Sequence, residues 1–346
     1  MNSPLIRTLV VDDSAFVRKV VREMLVRSGA VDVVGLARDG QEALEMAAEL
    51  KPDVVTCDLN MPRVGGLEFV RRQMAIRPIP ILILSASPSD GELVLEAMNA
   101  GAVDFVQKPS ALATNQLLDL RSELVEKVRT AARAPIRNLH LPVPIDRVPV
   151  AAAPVILKVD AVVVGISTGG PQALRYFIPQ FPATFPVPLA VVLHMPVGYT
   201  EMFAAKLGEL SKLQVGEARD GAVFLPGAVV VAQAGRHLVL ARNSRGEVLT
   251  RLVDHPLDKP HRPSVDVLFE SAAQVYGPRI LAIVMTGMGD DGKLGAACIK
   301  KHGGTVLTES HSSCVIYGMP RSVDEAGLSD ASVPLPGMAE AIMKYL

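Results

Sequence analysis

Short runs of β-branched and apolar residues recur along this chain, each followed by a longer segment of helical period, and a proline-rich stretch breaks the series once. Up to about Arg133 the runs are 8–11, 31–36, 54–57, 81–85 and 104–106, with helical segments at 15–28, 41–50, 67–74, 91–100 and 117–131. Such alternation demands a parallel sheet covered on both faces, with ligands at the carboxyl ends of the strands. Between 134 and 154 the pattern stops and five prolines intervene, which reads as a stiff, extended linker. A second alternation then begins, with strands at 161–166, 189–194, 215–217 and 280–286 and helices after Pro171, Thr200, Ser264 and Gly292. Within it, 228–232, 237–241 and 248–253 read as hairpin strands with turns at Ala234-Gly235 and 243–246. The expected fold is α/β: a five-stranded parallel sheet in 1–133, a linker at 134–154, and in 155–346 a doubly wound, mostly parallel sheet with an antiparallel hairpin. At 346 residues the chain exceeds what one hydrophobic core organises, so two domains are natural.

Several function classes are disfavoured. The apolar runs fall short of the about 20 residues that cross a bilayer. Met1 to Arg7 leads straight into a strand without the basic start and long apolar stretch of a signal peptide, so a cytoplasmic location without membrane insertion is expected. The three cysteines, Cys57, Cys298 and Cys314, form no CxxC pair, which argues against a disulfide framework or zinc site. Charges nearly cancel, at a formal net −1, and there is no basic tract or basic–aromatic stripe, so nucleic acid is a poor partner.

In the first half, strand ends coincide with chemistry. Asp12-Asp13 end the first strand, Asp58 the third and Ser85 the fourth, and Lys108-Pro109 follow the fifth. A parallel sheet brings these ends together, so three carboxylates, a hydroxyl and an ammonium converge. Hard oxygens from Asp12, Asp13 and Asp58 suit Mg²⁺, and Asp58 at the end of the central strand is the natural phosphoryl acceptor. Lys108 would pair with the phosphoryl group and Ser85 donate a hydrogen bond to it. Each residue alone reads rather as a solvated loop position or a helix cap, with Asp13-Ser14 simply beginning the first helix; five of them at successive strand ends do not. Together with the 58–66 loop Asp-Leu-Asn-Met-Pro-Arg-Val-Gly-Gly, they resemble the receiver domain of two-component response regulators. The resemblance implies phosphorylation of Asp58 by a histidine kinase, a Mg²⁺ ligand from Asn60, a cis peptide before Pro109, and an inward turn of Phe105 on activation.

In the second half, strand 161–164 runs into Gly165-Ile166-Ser167-Thr168-Gly169-Gly170-Pro171 and a helix. A GxSxG turn between strand and helix exposes a serine beside backbone amides. A glycine-rich turn of this kind also binds phosphate or a dinucleotide. Two further strand ends favour the nucleophile: His194 closes one, and Thr286 to Gly292, with Asp290 and Asp291, follows another. Nucleophile, base and base-orienting acid then share an edge. The acidic residue that a dinucleotide loop wants about 20 residues later is absent from 178–194. A receiver joined to a hydrolase-like binding module without chemistry is the remaining alternative.

Ser167-Thr168-Gly169-Gly170-Pro171, His194-Met195-Pro196, the 261–266 segment His-Arg-Pro-Ser-Val-Asp, Met285 to Gly289 and Tyr317-Gly318-Met319-Pro320 together resemble the chemotaxis response-regulator methylesterases. The resemblance implies a Ser167, His194, Asp291 triad, with Asp290 held in reserve because the family usually has Asn before the catalytic aspartate. It implies that Thr168 and Met288 line the site near an oxyanion donor. The substrates would be glutamate methyl esters, and glutamines, of methyl-accepting chemoreceptors, hydrolysed without a cofactor, while the receiver holds the catalytic domain in check until it is phosphorylated.

Overall fold

Valine, isoleucine and leucine crowd both faces of a strand only where helices cover both, and that is how the chain folds. In a computed structural model, residues 4–85, 87–108, 114–135 and 158–346 are described. They form two compact units, one on each side of the proline-rich stretch. The linker residues from 136 to 154, like Pro109 and the peptide before it, lie outside the described residues.

The first unit runs β1 (Ile6–Val11), α1 (Ala15–Val26), β2 (Val31–Ala37), α2 (Gly40–Leu50), β3 (Val54–Asp58), α3 (Gly66–Ile76), β4 (Ile81–Ser85), α4 (Gly91–Asn99), β5 (Asp104–Gln107) and α5 (Thr114–Ala131). Its five strands lie parallel in the order β2-β1-β3-β4-β5. Every residue of β3 and β4 is buried, as a central strand covered on both sides requires. Helix starts are fixed by short polar side chains: the Ser14 hydroxyl accepts the Val17 amide at 3.4 Å, and Asp39, buried against Arg63, accepts the Glu42 amide at 3.0 Å. Ser14 therefore does begin the first helix, while Asp13 remains available to the acidic cluster.

The second unit contains β6 (Ala161–Ile166), α6 (Gly170–Phe177), β7 (Leu189–Leu193), α7 (Thr200–Leu210), β8 (Gln214–Glu217), β9 (Ala228–Val231), β10 (His237–Arg242), β11 (Val248–Val253), α8 (Val265–Tyr276), β12 (Ile280–Val284), α9 (Lys293–Lys301), β13 (Thr305–Glu309), α10 (Met319–Glu325), β14 (Ala331–Val333) and α11 (Leu335–Met343). Seven strands form one parallel sheet in the order β14-β13-β12-β6-β7-β9-β8. The chain enters at β6, builds outward through β7 and later crosses to β12 on the other side. Strand order thus reverses at β6, the place where open α/β sheets leave a crevice at the carboxyl ends.

Two sequence expectations change. The run at 228–232 is not a hairpin strand: β9 pairs in parallel with β7 and β8, with Val229 and Val231 buried and Ala228 and Val230 half-buried. Only β10 and β11 form the antiparallel hairpin, closed by the turn in which the Asn243 amide bonds the Glu247 carbonyl at 2.9 Å. No strand is expected from the sequence after residue 286, whereas β13 and β14 extend the sheet.

Candidate functional site

Pairing of Ile166 with Leu193 across β6 and β7 puts the next residues, Ser167 and His194, side by side at the carboxyl edge. The His194 amide donates to the Ile166 carbonyl at 3.2 Å, extending that register past the strand ends. On the other flank of β6, the Ser167 amide donates to the Thr286 carbonyl at 3.0 Å just beyond β12. Gly287 presses on the serine: a Cβ there would lie 2.8 Å from Ser167 Cβ and 2.4 Å from Met319 Sδ, so only glycine fits. Gly169, at φ +78°, makes the turn from Ser167 into α6.

His194 Nε2 lies 2.8 Å from Asp291 Oδ2, and both side chains are nearly buried. The other ring nitrogen, Nδ1, is buried with no hydrogen-bond partner among the described residues. The His261 ring stacks on His194 with centroids 4.1 Å apart. Asp291 is tied down at the start of α8: Oδ1 accepts the Ser264 hydroxyl at 2.9 Å and the Asp266 amide at 3.0 Å, and Oδ2 accepts the Val265 amide at 2.8 Å. Burial alone would raise its pKa, but the bond and charge of His194 and the helix amides outweigh it and hold the carboxyl well below the usual range. Asp290 is exposed and contributes its carbonyl to the Lys293 amide. Of the two adjacent aspartates, Asp291 meets His194.

Thr168 is buried, and its carbonyl accepts the Thr286 hydroxyl at 2.9 Å; Met288 is half-buried in the 286–289 turn. Together the strand ends offer a hydroxyl, an imidazole with one nitrogen anchored and the other unpaired among the described residues, and a fixed carboxylate. That is the equipment for acyl transfer through a serine.

In the first unit, ligand oxygens of Asp12, Asp13 and Asp58 all lie within 4.8 Å of one another. Lys108 Nζ bridges two of them, at 2.6 Å from Asp12 and 3.1 Å from Asp58. Burial raises the Asp58 pKa, with Lys108 pulling it down and Asp12 adding to the rise. The Ser85 hydroxyl bonds the Ser87 carbonyl at 3.2 Å and Asp90 Oδ2 at 3.3 Å, while the Asn60 side chain donates to Asp90 Oδ1 at 3.0 Å. Phe105 is buried, with Lys127 Nζ 5.8 Å from its ring centroid. The acidic trio is a hard-oxygen donor set of the kind Mg²⁺ takes.

The family model for CheB methylesterase matches residues 162–342, and that for the response regulator receiver domain matches 8–119. The protein-glutamate methylesterase/protein-glutamine glutaminase 5 of Myxococcus xanthus is 50% identical over 343 residues, covering 99% of this chain and 98% of that protein. This chain belongs to the CheB methylesterase family. Another CheB methylesterase relative, the protein-glutamate methylesterase/protein-glutamine glutaminase of Thermotoga maritima, is 39% identical over 347 residues and all of both chains. The crystal structure of the Thermotoga maritima CheB methylesterase catalytic domain superposes with a TM-score of 0.53 at 40% identity, covering 54% of this chain and 99% of that one. The chain is accordingly a hydrolase of the CheB methylesterase family carrying a response regulator receiver. No helix among the described residues is long and apolar enough to cross a membrane.

Ser264, Asp266, His261 and Asp90 have no individual role legible in the sequence alone. The first three belong to the 261–266 segment, whose His-Arg-Pro-Ser-Val-Asp run was visible; the signal for their roles was the Ser-Val-Asp that starts a helix. Asp90 carried no signal beyond an acid near the start of α4.

Proposed function

We propose that the chain removes methyl groups from glutamate methyl esters of chemoreceptors, and deamidates receptor glutamines, through a triad of Ser167, His194 and Asp291 under control of Asp58 phosphorylation. The carrying observation is the His194–Asp291 bond at 2.8 Å at the strand end that the β6–β7 register sets next to that of Ser167. With Nε2–H donated to the carboxylate, the Nδ1 lone pair takes the Ser167 proton as Oγ attacks the ester carbonyl. The tetrahedral intermediate collapses with the C–OCH₃ bond breaking, and His194 returns the proton to the leaving methoxide, releasing methanol. Water, deprotonated in turn by His194, cleaves the acyl-serine to the free glutamate carboxylate. A glutamine follows the same path with ammonia leaving. Backbone amides near Thr168 and Met288 are the candidate donors to the oxyanion.

In the receiver, Asp12, Asp13 and Asp58, with Asn60, would hold Mg²⁺, which when bound supplies positive charge to offset the phosphoryl oxygens. Lys108, already 3.1 Å from Asp58, adds a second positive charge. Ser85 would leave its present partners to donate to the phosphoryl group. The phosphodonor is a histidine kinase, and the reaction belongs to the cytoplasm, where such a kinase delivers its phosphoryl group.

The test is methanol release from receptor membranes carrying labelled methyl esters, measured with the purified chain before and after addition of acetyl phosphate and Mg²⁺. Release that accelerates on phosphorylation is expected; no release in either condition overturns the reading.

A further inference from the structure

Thr286 secures the turn behind Ser167 through every polar atom it has. Its carbonyl accepts the Ser167 amide at 3.0 Å. Its hydroxyl donates to the Thr168 carbonyl and accepts the Ile316 amide, each at 2.9 Å. Its own amide donates to Oε2 of Glu309 at 2.9 Å. Glu309 ends β13 with no exposed surface, and its Oε1 accepts the Ser313 hydroxyl at 2.8 Å. That serine oxygen is held in turn by the Leu335 amide at 2.9 Å.

Nothing positive among the described residues faces this carboxyl. The flanking strands β12 and β14 carry no titratable side chain. Among the helices packed on β13, α9 carries Lys293, Lys300 and Lys301, and α10 carries Arg321, Asp324 and Glu325. Lys300 is engaged by Asp330, and Asp324 by Thr308 and Tyr317. The connecting loop adds His311, Cys314 and Tyr317, of which Cys314 Sγ lies 3.6 Å from the Glu309 carbonyl. No cation among the described residues pairs with Glu309. Burial accordingly pushes its carboxyl up to about 7 against the pull of the Thr286 amide and the Ser313 hydroxyl.

We propose that Glu309 is a positioning residue for hydrolysis: as a carboxylate it anchors the Thr286 turn behind Ser167, and on protonation that anchor weakens. The inference rests on the proposed esterase reading. An ionised carboxylate only accepts, and its charge-assisted bonds are roughly twice as strong as neutral ones. Once protonated on Oε1, the group keeps its Oε2 carbonyl for the Thr286 amide while the Ser313 hydroxyl turns to accept the new O–H, so the Thr286 bond loses its charge assistance and weakens. Thr286 carries the change directly to the Ser167 backbone, while Glu309 itself touches no reacting atom.

The test compares kcat of the full-length protein and Glu309→Gln, both saturated with acetyl phosphate and Mg²⁺, on methylated receptor membranes across neutral pH. Any pH dependence common to both proteins cancels in the ratio. Glutamine stands in for the protonated acid, offering the Thr286 amide a neutral carbonyl, and does not titrate. The ratio of variant to wild-type kcat should rise about tenfold between about pH 8 and about pH 6, with KM unchanged. A flat ratio overturns the proposal. Carbon NMR of wild-type protein labelled at glutamate carboxyls needs neither a variant nor activity: one resonance should titrate near neutrality, and midpoints all below about 6 overturn the proposal. If neither protein hydrolyses receptor esters, the esterase reading falls, and the NMR titration still judges Glu309.

Discussion

Asp266 and Asp291 cap each other's helices. Asp291 accepts the Val265 and Asp266 amides at the start of α8, while Asp266 Oδ1 accepts the Gly292 and Gly295 amides at the start of α9, at 2.9 and 2.8 Å. Each carboxylate lies where a helix N-terminus favours negative charge. Lys259, at 3.0 Å from Asp266 Oδ2, offsets part of the buried charge. The carboxylate that orients His194 is thereby fixed by two helices at once.

This arrangement predicts that Asp266→Ala weakens both stability and turnover. It removes two caps and strands Lys259, which should cost about 1–3 kcal/mol in urea unfolding. Because Asp291 loses the lock on α9, kcat should fall with KM little changed, and Asp266→Asn should recover part of both. An alanine variant with wild-type stability and kcat would show that the reciprocal caps do not matter.

The two adjacent aspartates should separate cleanly. Asp291→Asn is expected to lower kcat by about 10⁴-fold, because the amide cannot hold the imidazole with its open nitrogen toward Ser167. Asp290→Asn, at an exposed side chain, should stay within about twofold of wild type. Initial rates of methanol release at saturating receptor decide between them, and the reverse ranking would move the orienting role to Asp290.

Ser167→Ala should abolish hydrolysis while leaving thermal unfolding and Asp58 phosphorylation unchanged, since it deletes one hydroxyl. His194→Ala should do nearly as much, and the double variant no more than either alone, because nucleophile and base act as a unit. Losses that multiply in the double variant would mean that the two residues act independently.

Both parallel sheets, and the meeting of Ser167, His194 and an aspartate, were legible in the sequence, because buried strands announce themselves as short β-branched runs and the chemistry sits where those runs end. The valines at 228–231 carried the same signal, but nearness to the turn at 234–235 suggested a hairpin; which strand a run pairs with is a long-range fact that local pattern does not contain. β14, three residues at a sheet edge, was too short to register. The choice of Asp291 over Asp290 came from family resemblance, and its physical basis, the α8 amides and the Ser264 hydroxyl, depends on residues about 25 positions away. Glu309 had no signal at all: an acid closing a strand reads as solvated until the surrounding elements bury it.

Phosphorylation control predicts a pattern across two further proteins. Asp58→Asn should retain low activity that acetyl phosphate does not raise, since the acceptor carboxylate is gone. A fragment beginning at about Val155 should exceed the unphosphorylated full chain in methanol release and should ignore acetyl phosphate. A fragment no more active than the full chain would mean that the receiver activates rather than restrains.

The last prediction concerns stability against pH and follows from the same buried carboxyl. Glu309 is raised from an ordinary 4.5 to about 7 in the folded protein, so the fold binds its proton more tightly than the unfolded chain does. Its contribution is then fully present below about pH 4.5 and is lost as pH rises through about 7, where the folded state carries an uncompensated buried charge. The loss is on the order of 3 kcal/mol. Glu309→Gln has no such loss, so the Tm of the variant relative to wild type should climb between pH 4 and pH 8 and then level off. Asp291 works in the opposite sense at lower pH: its depressed pKa gives stability that is present above the ordinary carboxylate range and lost as acid protonates it. Its effect is the same in both proteins and drops out of the difference. Scanning calorimetry of the two proteins across this range makes the comparison, and a Tm difference independent of pH would show that Glu309 does not titrate there.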